Sequence, residues 1–425
     1  MPLFARKIIE DLWIKNRNFC SSDYDACLSY FQKILPFHIY EYRSEKHDQG
    51  WEIPPKFDIL TASINFEGRQ IFSTSSPLQL IGLSTSFHGC VSLCELKKHL
   101  HFDSRIPDAT PYHFRQNYRP WEREWGFCVT QNFYDSLQEG MYTIDIATQE
   151  SPGYLSVAEV IKPGRTPYGF AFVAHLDHGG MANDDLAGVA VAVDLFERLF
   201  KQDTKFTYRL ILVQEIIGSV FYLKYNRDPN ILESCFLEML GSKTPLALQA
   251  TAKGNSYLEE VLEEALKLKN TPYRKGGFRD IICNDEVVWE SVGIPMSSLS
   301  RFPYPEYHSD KDNPSIIDDA ALVESISVLE ETIRLLESSS LVCKQYSGVV
   351  GLSHPEYQLY VDPGQLAFNI TVNENQKKLR NLMDLMSLIP DHIFVEKLAK
   401  SVNLSKNEAM NYLDRWQEKK LIKII

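Results

Sequence analysis

Apolar residues along this chain fall into runs of two kinds, and the order of those runs is the first sign of its architecture. Tyr168-Gly-Phe-Ala-Phe-Val-Ala174 is a continuous apolar run, as expected of a strand buried on both faces. Leu186 to Phe200 repeats its apolar residues at helical spacing, and the same pairing of run and helix recurs downstream. Strand 207–213 precedes helix 218–226, strand 235–240 precedes helix 255–268, and a strand from Ile294 to Ser300 precedes a long helix over 318–338. In that last helix Leu322, Ile326, Leu329, Ile333 and Leu336 share a face. The alternation predicts an α/β fold: a mostly parallel sheet with helices on both faces. Two further runs, 141–147 and 154–161, flank Ser151-Pro-Gly153 and are expected to pair as a β-hairpin.

The pattern changes at both ends. Residues 1–39 read as helices of the main domain, with Ile8, Ile9, Leu12 and Trp13 on one face. Residues 40–122 read as a small inserted β-rich domain with its linker, its short runs broken by Pro54-Pro55 and Glu67-Gly68. The main domain then spans 123–345, and 346–376, with Pro355 and Pro363, reads as a linker. Residues 377–425 form a helix, a second helix capped by Asp391, a third opened by the capping box Ser405-Lys-Asn-Glu408, and a closing strand. That order is expected of a winged helix.

Composition narrows the classes. The 425 residues, 44% of them hydrophobic, are enough for two or three domains with a large core. A net charge of −12 argues against general nucleic-acid binding. Segment 377–425 carries ten Lys/Arg against six Asp/Glu, but its third helix holds Glu408, Asp414 and Glu418, which phosphates would repel. A packing or dimerisation module, and with it a homo-oligomer, fits this segment better than DNA binding. No run of 18 apolar residues is present, so no membrane span is expected. The first residues lack the pattern of a signal peptide, and the eight cysteines are scattered, as reduced thiols of a cytoplasmic protein would be.

The chemistry concentrates in one segment. His175-Leu-Asp177-His178 and Asn183-Asp184-Asp185 place two His and three Asp within eleven residues, between the end of a strand and the start of a helix. Open α/β sheets bind ligands at such strand ends, and this donor set suits zinc. Asp177 can orient His175, while Asp184, opening the helix, can bridge two metals. Glu215 ends the next strand, where a carboxylate can accept a proton from an attacking water. Glu238 ends a third strand, and His308 lies on a late loop.

In this order the pieces resemble the co-catalytic zinc aminopeptidases. The resemblance implies that His175 and Glu238 hold one metal, that His308 holds the other, that Asp184 bridges them and that Asp177 orients His175. There are departures. Gln214-Glu215 stands where that family has paired glutamates, and Glu238 replaces an aspartate. If Glu215 is the base, a second metal lacks its own carboxylate; if Glu215 is a ligand, the base is missing. One or two zinc ions are therefore expected. Trp121-x3-Trp125-Gly-Phe-Cys128, Ala182-Asn-Asp-Asp-Leu-Ala-Gly188 and Ser298-Leu-Ser-Arg301-x5-Tyr307-His308 are closer to the bacterial aminopeptidase-like proteins, which carry an inserted N-terminal domain and a C-terminal winged helix. In that group His-x-Cys-His-Pro stands in place of His175-Leu-Asp177-His178-Gly179, which makes His178 a competing ligand. Arg301 and Tyr304, just before His308, are candidates to hold a substrate carboxylate.

The resulting expectation is a zinc-dependent hydrolase of the aminopeptidase type, cleaving a peptide or small amide with metal-activated water and Glu215 as base. A deacylase of a sugar or small-metabolite amide is an alternative. So is a transcriptional regulator with a peptidase-like sensor domain.

Overall fold

The strand that carries His175 lies at the centre of an eight-stranded sheet in the computed structural model, which describes residues 3–44, 46–362 and 374–425. The strand order is His38–Arg43, Tyr154–Lys162, Thr207–Val213, Gly169–His175, Ile231–Glu238, Met296–Ser300, Leu246–Gln249 and Tyr273–Gly276. Thr207–Val213, Gly169–His175, Ile231–Glu238 and Met296–Ser300 run parallel to one another. Around this centre the sheet is mixed. His38–Arg43 and Tyr154–Lys162 run antiparallel to their neighbours at one side, and Leu246–Gln249 runs antiparallel to Met296–Ser300 at the other. The fold is thus α/β with a large central sheet.

Every residue of Gly169–His175 and of Thr207–Val213 is buried, because helices cover both faces. On one face Ala171, Val173, Ile211 and Val213 pack with Phe221 and Tyr222 of the helix Ile217–Asn226 and with Trp289. On the other, Phe172 meets Phe196 of the helix Leu186–Leu199 with ring centroids 6.2 Å apart.

The expected hairpin does not form. Met141–Ser151 belongs to a separate four-stranded antiparallel sheet, between Lys56–Phe66 and Phe87–Ser92, with Arg69–Ser73 at its edge. Tyr154–Lys162 enters the large sheet instead. Burial explains the separation. Met141–Ser151 alternates, with Tyr142, Ile144 and Ile146 facing one small core, whereas Leu155 to Val160 are buried on both faces and need a two-sided sheet.

The chain divides into a unit of residues Met1–Thr332 and a unit of residues Ile333–Ile425. In the second, Leu341–Lys344 pairs antiparallel with His392–Phe394 and Ile422–Ile424, and three helices, Glu374–Leu385, Val395–Ser401 and Lys406–Glu418, share a core around Trp416. Ser405 and Glu408 form the expected capping box. Asp391 is not the cap of the middle helix. That position is Phe394, because 392–394 are drawn into the sheet. Within the expected linker, Leu352 and Leu359 are buried in this unit's core, while residues 363–373, Pro363 among them, lie outside the described residues. Among the described residues no helix is long and apolar enough to cross a membrane.

Candidate metal centre

Parallel register brings the motifs to one edge. His175 is paired with Val213, two residues before Glu215, and Val173 with Phe236, two before Glu238, so all three side chains leave the sheet at the same end. From His175 the chain loops to Asp185, the N-cap of the helix Leu186–Leu199. The Asp185 carboxylate accepts the N–H of Gly188 at 3.1 Å, of Met239 at 2.6 Å and of His175 at 3.3 Å, tying the helix, the loop and the strand together. Gly188 is required there. A Cβ would lie 2.3 Å from the Asp185 carboxylate and 2.5 Å from the Leu237 carbonyl.

Two residues outside the motifs shape the loop. The carboxylate of Asp312 accepts the N–H groups of Ala182, Asn183 and Asp184 at 3.1, 2.6 and 3.0 Å, and the hydroxyl of Tyr304 at 2.6 Å. Arg17 is fully buried and donates to five carbonyls: Leu12, Trp13, Leu176, His178 and Met181. A divalent metal held by this loop is expected to bind ~10–100-fold more weakly in Asp312→Ala, the usual cost of losing an outer partner of a ligand. Titration of metal-free protein against a chromophoric chelator measures it, and unchanged affinity would remove Asp312 from this role.

Asp184 is the hub of the site. Its Oδ1 stands 3.4 Å from His175 Nε2 and 3.2 Å from His178 Nδ1, and its Oδ2 stands 3.1 Å from His308 Nε2. Asp177 lies behind, 3.3 Å from His175 Nδ1 and 3.5 Å from His178 Nε2, and Glu215 is 3.5 Å from the same Nε2. Two overlapping groups result, His175–His178–Asp184 and Asp177–His178–Glu215, each with donor atoms within 4.8 Å of one another. His175 Nε2, His178 Nδ1, Asp184 Oδ2 and His308 Nε2 are buried without a hydrogen-bond partner, as is Glu238 Oε1. Buried polar atoms left unpaired in this way are costly, and this donor set fits a divalent metal. Burial works against charge on His175 and His178, but the surrounding acids outweigh it and hold both well above the ordinary histidine range. For Asp184, burial is likewise outweighed by His178, His175 and His308, which keep it well below the carboxylate range. A metal ion would displace those imidazole protons.

Four non-glycine residues at these strand-end loops adopt left-handed backbone: His178 (φ 68°), Ile216 (φ 62°), Met239 (φ 54°) and His308 (φ 55°). Each such residue costs about 1–3 kcal/mol and persists where its surroundings impose it, typically at functional sites. At Ile216 (ψ −63°), Ile217 N–H donates to Glu215 C=O at 2.6 Å, the bond of a γ-turn. The Glu215 carboxylate accepts the Tyr118 hydroxyl. Burial would raise it, but His178 and Tyr118 prevail and hold it down to about 2. Gln214 faces elsewhere, its amide donating to the carbonyls of Phe19 and Ser156.

The remaining candidates sit differently. Glu238 Oε2 accepts Asn284 Nδ2 at 2.5 Å, and Glu238 lies outside both three-residue groups. Burial holds it well above the carboxylate range. Asp285 and Glu286 are fully buried. Burial pushes Asp285 up to about 7. Arg301 is buried, bonded to Glu324, Ser325 and the carbonyls of Thr244 and Ala321. With Tyr304 on Asp312, both expected substrate contacts are engaged inside the fold. The pocket that opens onto Glu215 and His308, about 820 Å³, is instead walled by Trp51, Phe114, Tyr118, Trp121 and Tyr307.

A family model described as a domain of unknown function, DUF4910, matches residues 6–339. A Clostridium acetobutylicum protein provisionally assigned to polysaccharide biosynthesis, with an aminopeptidase-like domain, is 26% identical over 344 residues, 78% of this chain and 77% of its own. Among solved structures, one provisionally assigned as a peptidase from Clostridium acetobutylicum superposes with a TM-score of 0.76 at 22% identity, over 99% of this chain and 96% of that one. BSAP, a zinc aminopeptidase from Bacillus subtilis, superposes with a TM-score of 0.57 at 14% identity, over 78% of this chain and 94% of its own. These two likenesses are of fold.

Proposed function

The chain belongs to the DUF4910 family, and on that premise we propose that it is a zinc-dependent amide hydrolase of the aminopeptidase type. The observation that carries this reading is the convergence on Asp184 of the buried His175 Nε2, His178 Nδ1 and His308 Nε2, none of which makes a well-directed hydrogen bond. His175, His178, Asp184 and His308 are the ligands we assign, with the free Oε1 of Glu238 available to complete the set. Zinc held there supplies Lewis acidity, polarising the scissile carbonyl and easing loss of a proton from water. Asp177 fixes the His175 tautomer through Nδ1, leaving Nε2 as the donor. Glu215 takes the proton from the attacking water and returns it to the leaving nitrogen. Tyr118 holds the Glu215 carboxylate toward the pocket, and the aromatic walls seat an apolar or ring-shaped part of the substrate. In this reading residues 377–425 are a winged helix used for packing or dimerisation, and residues 40–122, which supply three of the four strands of the smaller sheet, are the inserted module.

The test pairs metal analysis with turnover of an aminoacyl anilide. Glu215→Gln is expected to keep its zinc and to lose turnover by ~10²–10⁴, the usual contribution of a positioned base. Zinc lost together with activity would make Glu215 a ligand, and full turnover would end both roles. A second reading, deacylation of an amino sugar, is favoured by the assignment of the Clostridium relative to polysaccharide biosynthesis. Release of acetate from N-acetylhexosamines, with the anilides left intact, would select it.

A further inference from the structure

We propose that Asp285 is the positioning residue for Glu215, acting through the peptide of Ile216, a role that rests on the hydrolase reading above. Asp285 is fully buried, and its Oδ2 accepts the Ile216 N–H at 2.9 Å. It occupies the N-cap of the short helix Glu286–Ser291, where an aspartate ordinarily bonds an amide of its own first turn. It makes no such bond. The carboxylate instead reaches the start of the helix Ile217–Asn226, whose own N-cap residue is Ile216 and has no side chain able to cap. An anion at that end also meets the positive pole of the helix.

What Asp285 grips is the centre of the γ-turn. A β-branched residue enters left-handed backbone only when its surroundings impose it, and here two carboxylates do so. Asp177 Oδ1 accepts the Glu215 N–H at 2.9 Å, and Asp285 accepts the next amide. Together the two bonds fix the stretch of backbone from which the Glu215 side chain projects toward Tyr118 and His178. With the second bond gone, Ile216 can relax to negative φ, which swings Glu215 out of line with an attacking water. Misplacement by about 1 Å is enough to cost ~10²-fold in rate.

The experiment compares Asp285→Ala with Asp285→Asn, whose amide oxygen can still accept the Ile216 N–H. Each zinc-loaded protein is assayed on an aminoacyl anilide, and amide hydrogen exchange is followed at Ile216. Asp285→Ala is expected to lower kcat by ~10²-fold with KM and zinc content unchanged, and to speed exchange at Ile216 by a similar factor. Asp285→Asn is expected to restore both to near the parent. Unchanged exchange at Ile216 in Asp285→Ala, or an Asp285→Asn protein as impaired as the alanine variant, overturns the proposal. If Asp285→Ala does not fold, Asp285→Ser, too short to reach Ile216, takes its place. A parent protein that binds zinc but leaves the anilide intact counts against the hydrolase reading alone, and Ile216 exchange in the variants then decides the role of Asp285.

Discussion

Protein carrying Asp184→Ala is expected to hold less than about a tenth of the parent's zinc and to show no measurable amide turnover. Three imidazoles meet this one carboxylate, at 3.4, 3.2 and 3.1 Å. Loss of a partner outside the ligand sphere costs ~10–100-fold in metal affinity, so loss of the shared ligand must cost more. The rings would also be left facing one another, with the His175 and His178 centroids 4.6 Å apart and those of His178 and His308 5.5 Å apart. Elemental analysis after gel filtration, with a chelator competition for the residual affinity, measures the effect. Parental zinc content in Asp184→Ala would move the ion to the second group, Asp177–His178–Glu215.

Arg17→Met is expected to lower the free energy of unfolding of the metal-free protein by about 3–5 kcal/mol. A buried acceptor that loses its donor costs ~1–3 kcal/mol, and Arg17 serves five carbonyls. Relaxation of the loop recovers part of that sum. Against a typical stability of ~5–15 kcal/mol, the loss is a large fraction. Arg17→Lys should fall between, since an ammonium has three donors and no planar fork. Urea unfolding of the three proteins measures it. A loss under about 1 kcal/mol in Arg17→Met would mean that these carbonyls find other donors.

The central strands could be read from the sequence because their burial is complete. A seven-residue run such as Thr207–Val213, buried throughout, has few other places to go in a chain of this composition. Strand partners were harder. Met141–Ser151 and Tyr154–Lys162 are separated by a turn that suits a hairpin, and only the difference between one-sided and two-sided burial sends them to different sheets. The edge strand Tyr273–Gly276, Tyr-Arg-Lys-Gly, carries almost no apolar signal at all. At the site, the residues that can donate to a metal are visible because they are dense in sequence or end successive strands. Arg17, Asp285 and Asp312 are not, since each acts on backbone groups far along the chain. Arg17 reaches Leu176 across 159 residues, and Asp285 reaches Ile216 across 69. Sequence places Arg301 and Tyr304 near His308 but not the direction of their side chains, which bond to the Ala321 carbonyl and to Asp312.

The span of the Arg17 bonds has a consequence during synthesis. Met181, the most distant of its acceptors, follows it by 164 residues. At ~5–20 residues per second, the growing chain waits about 8–30 s between making the guanidinium and making its last carbonyl partner. Throughout that interval the helix Phe4–Leu12, with Ile8 and Ile9 meant for burial, lacks the helix Leu186–Leu199 that it packs against. That apolar face stays uncovered until its partner has been made, and a slower translation rate lengthens its exposure in proportion.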